Sequence, residues 1–206
     1  LAELMPRINV QIKANPNSLD WYVYLLYLYY ANDNYEQAIL TVEKIKELDA
    51  DPYFDEILSS LYQDMGDFAS ALPYALTAYQ SDTTDTDYIS QLASVYNDLD
   101  SIERANEIYS AYIAQFPEDA AAYHMRAQCY FHAGNYENAI TDYTTAIALN
   151  ADDSFARYMR GRAHLAMGDS LKANKDFQRV VDDTHATTET AWALIFLGRQ
   201  EEARAM

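Results

Sequence analysis

Alanine returns along this chain at a fixed interval. Ala38, Ala71, Ala105, Ala139 and Ala173 are spaced by 33, 34, 34 and 34 residues. Nine residues upstream of each stands Tyr29, Tyr62, Tyr96, Tyr130 or His164. Four residues downstream stands Val42, Ala75, Tyr109, Tyr143 or Phe177. Self-similarity at such a period means stacked supersecondary units, none of which buries its apolar face alone. A chain of this kind folds as an array of neighbours rather than around one central core.

Each unit carries two apolar segments at helical spacing. In the fourth, Tyr123, Ala127 and Tyr130 mark one helix face, and Tyr136, Ala139, Ile140, Tyr143, Ala146 and Ile147 mark a second. Gly134-Asn135 sits between them, where glycine ends a helix in a left-handed conformation. Gly66-Asp67 and Gly168-Asp169 repeat the device, while Asp33 and Asp100 occupy the glycine column elsewhere, a less comfortable choice. Small residues at Ser59, Ala93, Ala127 and Gly161 allow paired helices to approach closely, and Leu26 interrupts that column in the first unit. Asn15-Pro16 and Phe116-Pro117 stop one helix before the next begins. Few breakers (5 glycines, 5 prolines) and 19 tyrosines suit helices with half-wet aromatic faces.

With these columns, and with the stretch Tyr123–Asn150 most fully, the chain resembles the tetratricopeptide repeat (TPR) family. The resemblance implies an all-α, TPR-type α-solenoid, a right-handed superhelix of antiparallel helix pairs. Five full repeats are expected at 19–51, 52–85, 86–119, 120–153 and 154–183, within a single array over 1–206. Residues 1–18 read as the second helix of a partial repeat and 184–206 as the start of another. Ends cut in mid-repeat lead to the expectation that the chain is a piece of a longer polypeptide, since arrays need polar caps.

Acids outnumber bases 32 to 14, for a formal charge of −18. Phosphate backbones need clustered Lys and Arg, so nucleic acid is excluded as a partner, and anionic membrane surfaces are disfavoured. Between Glu47 and Met125, Arg104 is the single base among sixteen acids, a field that steers a basic partner. No run approaches the ~20 apolar residues of a membrane helix. Leu1 to Val10 lacks the basic head and apolar stretch of an export signal, although a start at Leu1 leaves room for a removed leader. Cys129 is the only cysteine, which forbids an intrachain disulfide and favours the cytoplasm over a periplasmic or exported location.

A leucine column (Leu25, Leu58, Leu92) changes to Arg126 and Arg160, each with an aspartate sixteen residues on, Asp142 and Asp176. This is similar to the TPR subtype in which such residues pair between helices, and a partly buried arginine lacking a carboxylate is costly. The competing reading makes these arginines receptors for an acidic ligand.

In the TPR family the first helix of each unit lines a groove that receives an extended peptide or a partner's helix. Here the resemblance assigns that lining to Val23, Tyr27 and Tyr30, then Glu56, Ser60 and Gln63, then Ser90, Ser94 and Asn97. His124, Gln128 and Phe131 follow, then Tyr158, Arg162 and Leu165. Tyr27, Tyr30, Tyr158 and Arg162 are the expected main contacts, because Tyr and Arg most often dominate interface energy. The Lys/Asn/Arg clamp with which chaperone-binding relatives hold a C-terminal carboxylate is absent: Val23, Tyr27 and Glu56 stand there instead, and Glu56 repels a carboxylate.

No catalytic or metal site and no cofactor is implied. His124, Cys129 and His132 lie at i, i+5 and i+8, a spacing that does not converge on one ion. Cys129 and His164 fall in core columns. Phosphate loops, nucleophile elbows and HExxH are missing. The stretch Asp82 to Asp87 lacks the glycine and closing glutamate of a calcium loop and reads as helix caps. The expected function is a non-catalytic scaffold for a protein or peptide, with a basic segment favoured. Two alternatives stand beside it: a recruitment or regulatory segment of a larger enzyme or membrane protein, and self-association through exposed end helices.

Overall fold

A computed structural model describes residues 4–183 and 187–206, the Asp183 side chain excepted. Among the described residues every regular element is an α-helix, and the helices fall into two compact units. The first spans Leu1–Ser101 and the second Ile102–Met206.

In the first unit, α1 (Leu4–Ala14) leads to α2 (Leu19–Tyr30) and α3 (Tyr35–Leu48). Then follow α4 (Tyr53–Asp64), α5 (Phe68–Ser81) and α6 (Thr86–Asp98). Each helix packs on the next, and α4 also touches α6. The first helices of successive pairs therefore lie side by side and share one face. The second unit repeats this with α7 (Ile102–Gln115), α8 (Ala120–His132), α9 (Tyr136–Leu149) and α10 (Ser154–Ala166). It ends with α11 (Ser170–Asp183), α12 (Thr188–Phe196) and the short α13 (Gln200–Arg204). Here α10 touches both α11 and α12. Each unit is thus an α-solenoid of stacked helix pairs.

The alanine column explains the stacking. Ala38, Ala71, Ala105, Ala139 and Ala173 are all 0% exposed, so a methyl group is all that the crossing admits. Ser59, Ala93 and Ala127 are equally buried. At Gly161 even a methyl is too large, because an added Cβ would stand 2.7 Å from Cε1 of Phe177. Around these crossings Val42, Ile45, Leu58 and Leu61 fill the core of the first unit. Tyr143, Met159, Phe177 and Val180 fill that of the second.

Turn chemistry follows the sequence columns. Gly134 sits at φ +72°, and Asp33 and Asp100 adopt the same left-handed conformation at +54° and +56°. At four such turns the next residue caps the following helix. Asp67 Oδ1 accepts from the Ser70 N–H at 3.1 Å, and Asn34, Asn135 and Asp169 repeat the bond three residues ahead. Asp85 caps α6 through the N–H groups of Asp87 and Tyr88, while Asp82 accepts from Thr84. The aspartate-rich turn is therefore two capping motifs in series. Many of the chain's acids are helix starts.

Candidate functional site

The face shared by α2, α4 and α6 gathers part of the expected lining. Val23, Tyr27 and Tyr30 from α2 meet Glu56 and Ser60 from α4 around an open cavity of about 300 Å³. Its floor is Leu26, Phe54 and Leu61, all buried, with Ile57 beside them. Tyr53, absent from the sequence reading, completes the wall. It stands three residues before Glu56 and seven before Ser60, a spacing that places all three on one helical face. Tyr27, Tyr30 and Tyr53 remain 64%, 48% and 49% exposed, so large aromatic surface is left to solvent at the mouth.

The cavity's electrostatics are acidic. Burial, with Asp87 and Asp85 nearby, holds the Glu56 carboxyl above its ordinary range. Among the described residues no ion pair reaches Glu56, although its neighbour Asp55 is paired with Lys46. The Asp64 carboxylate beside the Tyr30 hydroxyl, helped by burial and by Asp33, raises the Tyr30 pKa. Burial, Tyr27 and Glu56 together raise that of Tyr53.

Further along the same unit the expected lining is tied up by its own hydrogen bonds. Gln63 Nε2 donates to Ser94 Oγ at 3.2 Å and to Asp98 Oδ2 at 2.5 Å. Gln91 Nε2 donates to Gln63 Oε1 at 2.7 Å and to Ser59 Oγ at 3.1 Å. Ser90 and Asn97 are half-buried on α6 and do not line the cavity. This network braces α4 against α6 and leaves the aromatic cavity between α2 and α4 open on this face.

In the second unit the assigned residues are more involved with each other. His124 Nδ1 lies 2.8 Å from Asp153 Oδ2, and its Nε2 is 3.2 Å from Gln128 Nε2. With Nδ1 protonated, His124 donates to Asp153 and accepts from Gln128. Burial pulls the Asp153 carboxyl upward, but the bonds from His124 and the Ala156 N–H prevail and hold it below its usual range. The Arg162 guanidinium stacks 5.0 Å from the Phe131 ring centre and 5.9 Å from that of Tyr158. Tyr158 is only 8% exposed, enclosed by Phe155, Phe177 and Phe196, so its ring belongs to the core more than to the face. Leu165 is half-buried against the same core.

Arg126 and Arg160 are clasps. Arg126 Nε and Nη2 donate to Asp142 at 2.7 and 2.8 Å, and Nη1 reaches Ser110 Oγ at 2.9 Å. Arg160 does the same with Asp176 at 2.9 and 2.6 Å and with Thr144 at 3.1 Å. Each guanidinium thus spends its planar fork on a carboxylate of its own chain. Cys129 is buried, and among the described residues no three His, Cys, Asp or Glu side chains cluster as a metal would require. No described helix is long and apolar enough to cross a membrane.

Models of the tetratricopeptide repeat match residues 120–153, 155–183 and 184–206. These stretches belong to the tetratricopeptide repeat family. Solved TPR structures agree with the fold of the chain. A tetratricopeptide repeat protein from Parabacteroides merdae superposes with a TM-score of 0.68 at 17% identity, over 91% of this chain and 76% of its own. The MamA protein gives 0.64 at 21% identity, over 80% and 91%. YrrB, described as a TPR protein with an unusual peptide-binding site, gives 0.60 at 16% identity, over 90% and 96%. No curated protein sequence matches the chain. Both Arg–Asp clasps join the two helices of a TPR motif within the matched stretches.

Proposed function

We propose that this chain is a non-catalytic interaction scaffold that binds a peptide or protein segment on the face formed by the first helices of its repeats. The observation that carries this reading is the cavity between α2 and α4, walled by three tyrosines that remain 48% to 64% exposed. Rigid amphipathic rings around a concave apolar floor are the anchors that dominate interface energy elsewhere. The peptide-binding site named for YrrB, which shares the fold, is consistent with such a use. Charge points to a basic partner. Residues 1–101 hold seventeen acids and four bases, a formal charge of −13, against fifteen and ten, or −5, in residues 102–206.

The test is selection from a random 12-residue peptide display library on the immobilised chain, followed by fluorescence anisotropy of enriched peptides. Replacing Tyr27 and Tyr30 together by alanine should weaken binding by at least ~2 kcal/mol while the far-ultraviolet circular dichroism stays unchanged. Equal affinity in a folded double variant would remove the face from the proposal. The residues His124, Gln128, Phe131 and Arg162 of the second unit make a secondary contact surface, and their substitution should act more weakly.

A further inference from the structure

The cavity between α2 and α4 has a size, a wall and a charge that together specify what enters it. Its volume of about 300 Å³ lies at the lower limit of the ~300–1,000 Å³ of ligand clefts, which suits one side chain rather than a helix. Tyr27, Tyr30 and Tyr53 supply ring faces, the buried Leu26, Phe54 and Leu61 supply an apolar floor, and Glu56 supplies a carboxylate. We infer that the cavity is a receptor for one cationic side chain, lysine or arginine, of an extended peptide bound to this face. This rests on the peptide-binding reading above and names the residue that anchors it.

The strongest support is a device that the same unit already contains. On α4, Asp55 and Glu56 are consecutive and therefore point about 100° apart. Asp55 turns toward α3, where Lys46 pairs with it and lies 5.7 Å from the centre of the Tyr74 ring. A carboxylate and a tyrosine face thus hold an ammonium between them. Glu56 turns to the other side, beside Tyr53, where its carboxylate and the tyrosine faces hold no lysine among the described residues. The chemistry is the same and the cation is left to the partner.

The groups facing Glu56 make this choice one-sided. Asp85 and Asp87, at the start of α6, add negative potential, and burial adds a cost to the charged carboxyl. An entering ammonium or guanidinium relieves both and takes attraction from the ring quadrupoles. Its aliphatic stem covers the apolar floor while the head stays at the carboxylate. An acidic side chain meets only repulsion, and a short apolar one fills the floor but leaves Glu56 uncompensated.

The peptides from the display selection provide the test. Arginine or lysine should be enriched at one position, flanked by apolar residues. Replacing that arginine by citrulline, which keeps the shape and removes the charge, should cost about 10-fold in affinity on the native chain. On the folded Glu56→Gln variant the same replacement should cost less than about 2-fold. On Glu36→Gln, an exposed charge outside the cavity, it should still cost about 10-fold. Peptides that bind the face with no basic position, or an equal citrulline penalty on Glu56→Gln, would overturn the cation receptor and leave the peptide face standing. Failure to enrich any peptide would overturn the proposed function and this inference with it.

Discussion

Removing one half of the Arg126–Asp142 clasp should cost far more than removing both. Asp142→Ala leaves the Arg126 guanidinium with the Ser110 hydroxyl and the rings of Tyr123 and Tyr130, 5.8 and 6.0 Å away. Breaking a buried pair costs about 3–5 kcal/mol. Because 18% of the Arg126 side chain reaches solvent, water recovers part of this, and the expected loss is about 3 kcal/mol. Arg126→Leu strands the Asp142 carboxylate, whose side chain is only 6% exposed, so about 3–4 kcal/mol is expected. The double replacement Arg126→Leu/Asp142→Ile reproduces the Leu92 and Ile108 found at these columns in the third repeat. It should lie within about 1 kcal/mol of the native chain, because an apolar pair of similar volume avoids both desolvation costs. Urea denaturation followed by circular dichroism measures the cycle, and the m-value must be tracked because repeat arrays unfold with partial cooperativity. A coupling near zero, with the double variant as damaged as the two singles combined, would refute the clasp as a structural unit. Unchanged stability in Arg126→Leu would refute it too and restore the ligand-receptor reading.

Two further substitutions probe the packing and the cavity. Gly161→Ala should destabilise by about 1 kcal/mol or more even after the ~1 kcal/mol helix-propensity gain. The added methyl meets Phe177, which is fully buried and stacked at 5.0 Å on Phe196, and a stability gain in thermal denaturation would show that the ring yields. Glu56 titrates above its ordinary 4.5 when folded, so the folded chain takes up this proton first as pH falls. Glu56→Gln should therefore be the more stable form at pH 7, with the gap narrowing as pH drops through the folded pKa and closing near 4.5; a gap that widens on acidification would contradict the sign.

The stacking was legible because a repeat array writes each core contact several times. One alanine crossing is ambiguous in a single helix pair, yet five alanines at one phase exclude every other register. The clasps were legible for the same reason, since Arg126/Asp142 and Arg160/Asp176 appear together at a fixed separation. The left-handed Asp33 and Asp100 were readable by their column, aspartate being one of the few residues other than glycine that adopt that conformation. Period alone does not say what lies over a position. Val23, Glu56, Ser90, His124 and Tyr158 share one column, but only Tyr158 is closed over by three phenylalanines. Tyr53 escaped because it belongs to no column, and its reach across the cavity depends on the first turn of α4.

The acidic composition acquires a different meaning once its parts are assigned. Asp67, Asp85, Asp119, Asp153 and Asp169 spend their carboxylates on helix N-termini, where the dipole favours them. Asp55, Asp142 and Asp176 are buried and paired with cations of the chain itself. These charges are part of the architecture and carry little information about a partner. Glu56 differs from them in its partners: its side chain accepts no capping hydrogen bond, pairs with no cation among the described residues, and sits partly buried at a cavity walled by tyrosine. Its place in the first turn of α4 offsets part of the cost of keeping it charged, but burial, Asp87 and Asp85 prevail and leave its pKa raised. An alanine or leucine at that position would serve the stacking at least as well. The face between α2 and α4 is therefore a place where this repeat array departs from what its own stability requires, and that departure supports the recognition proposed for it.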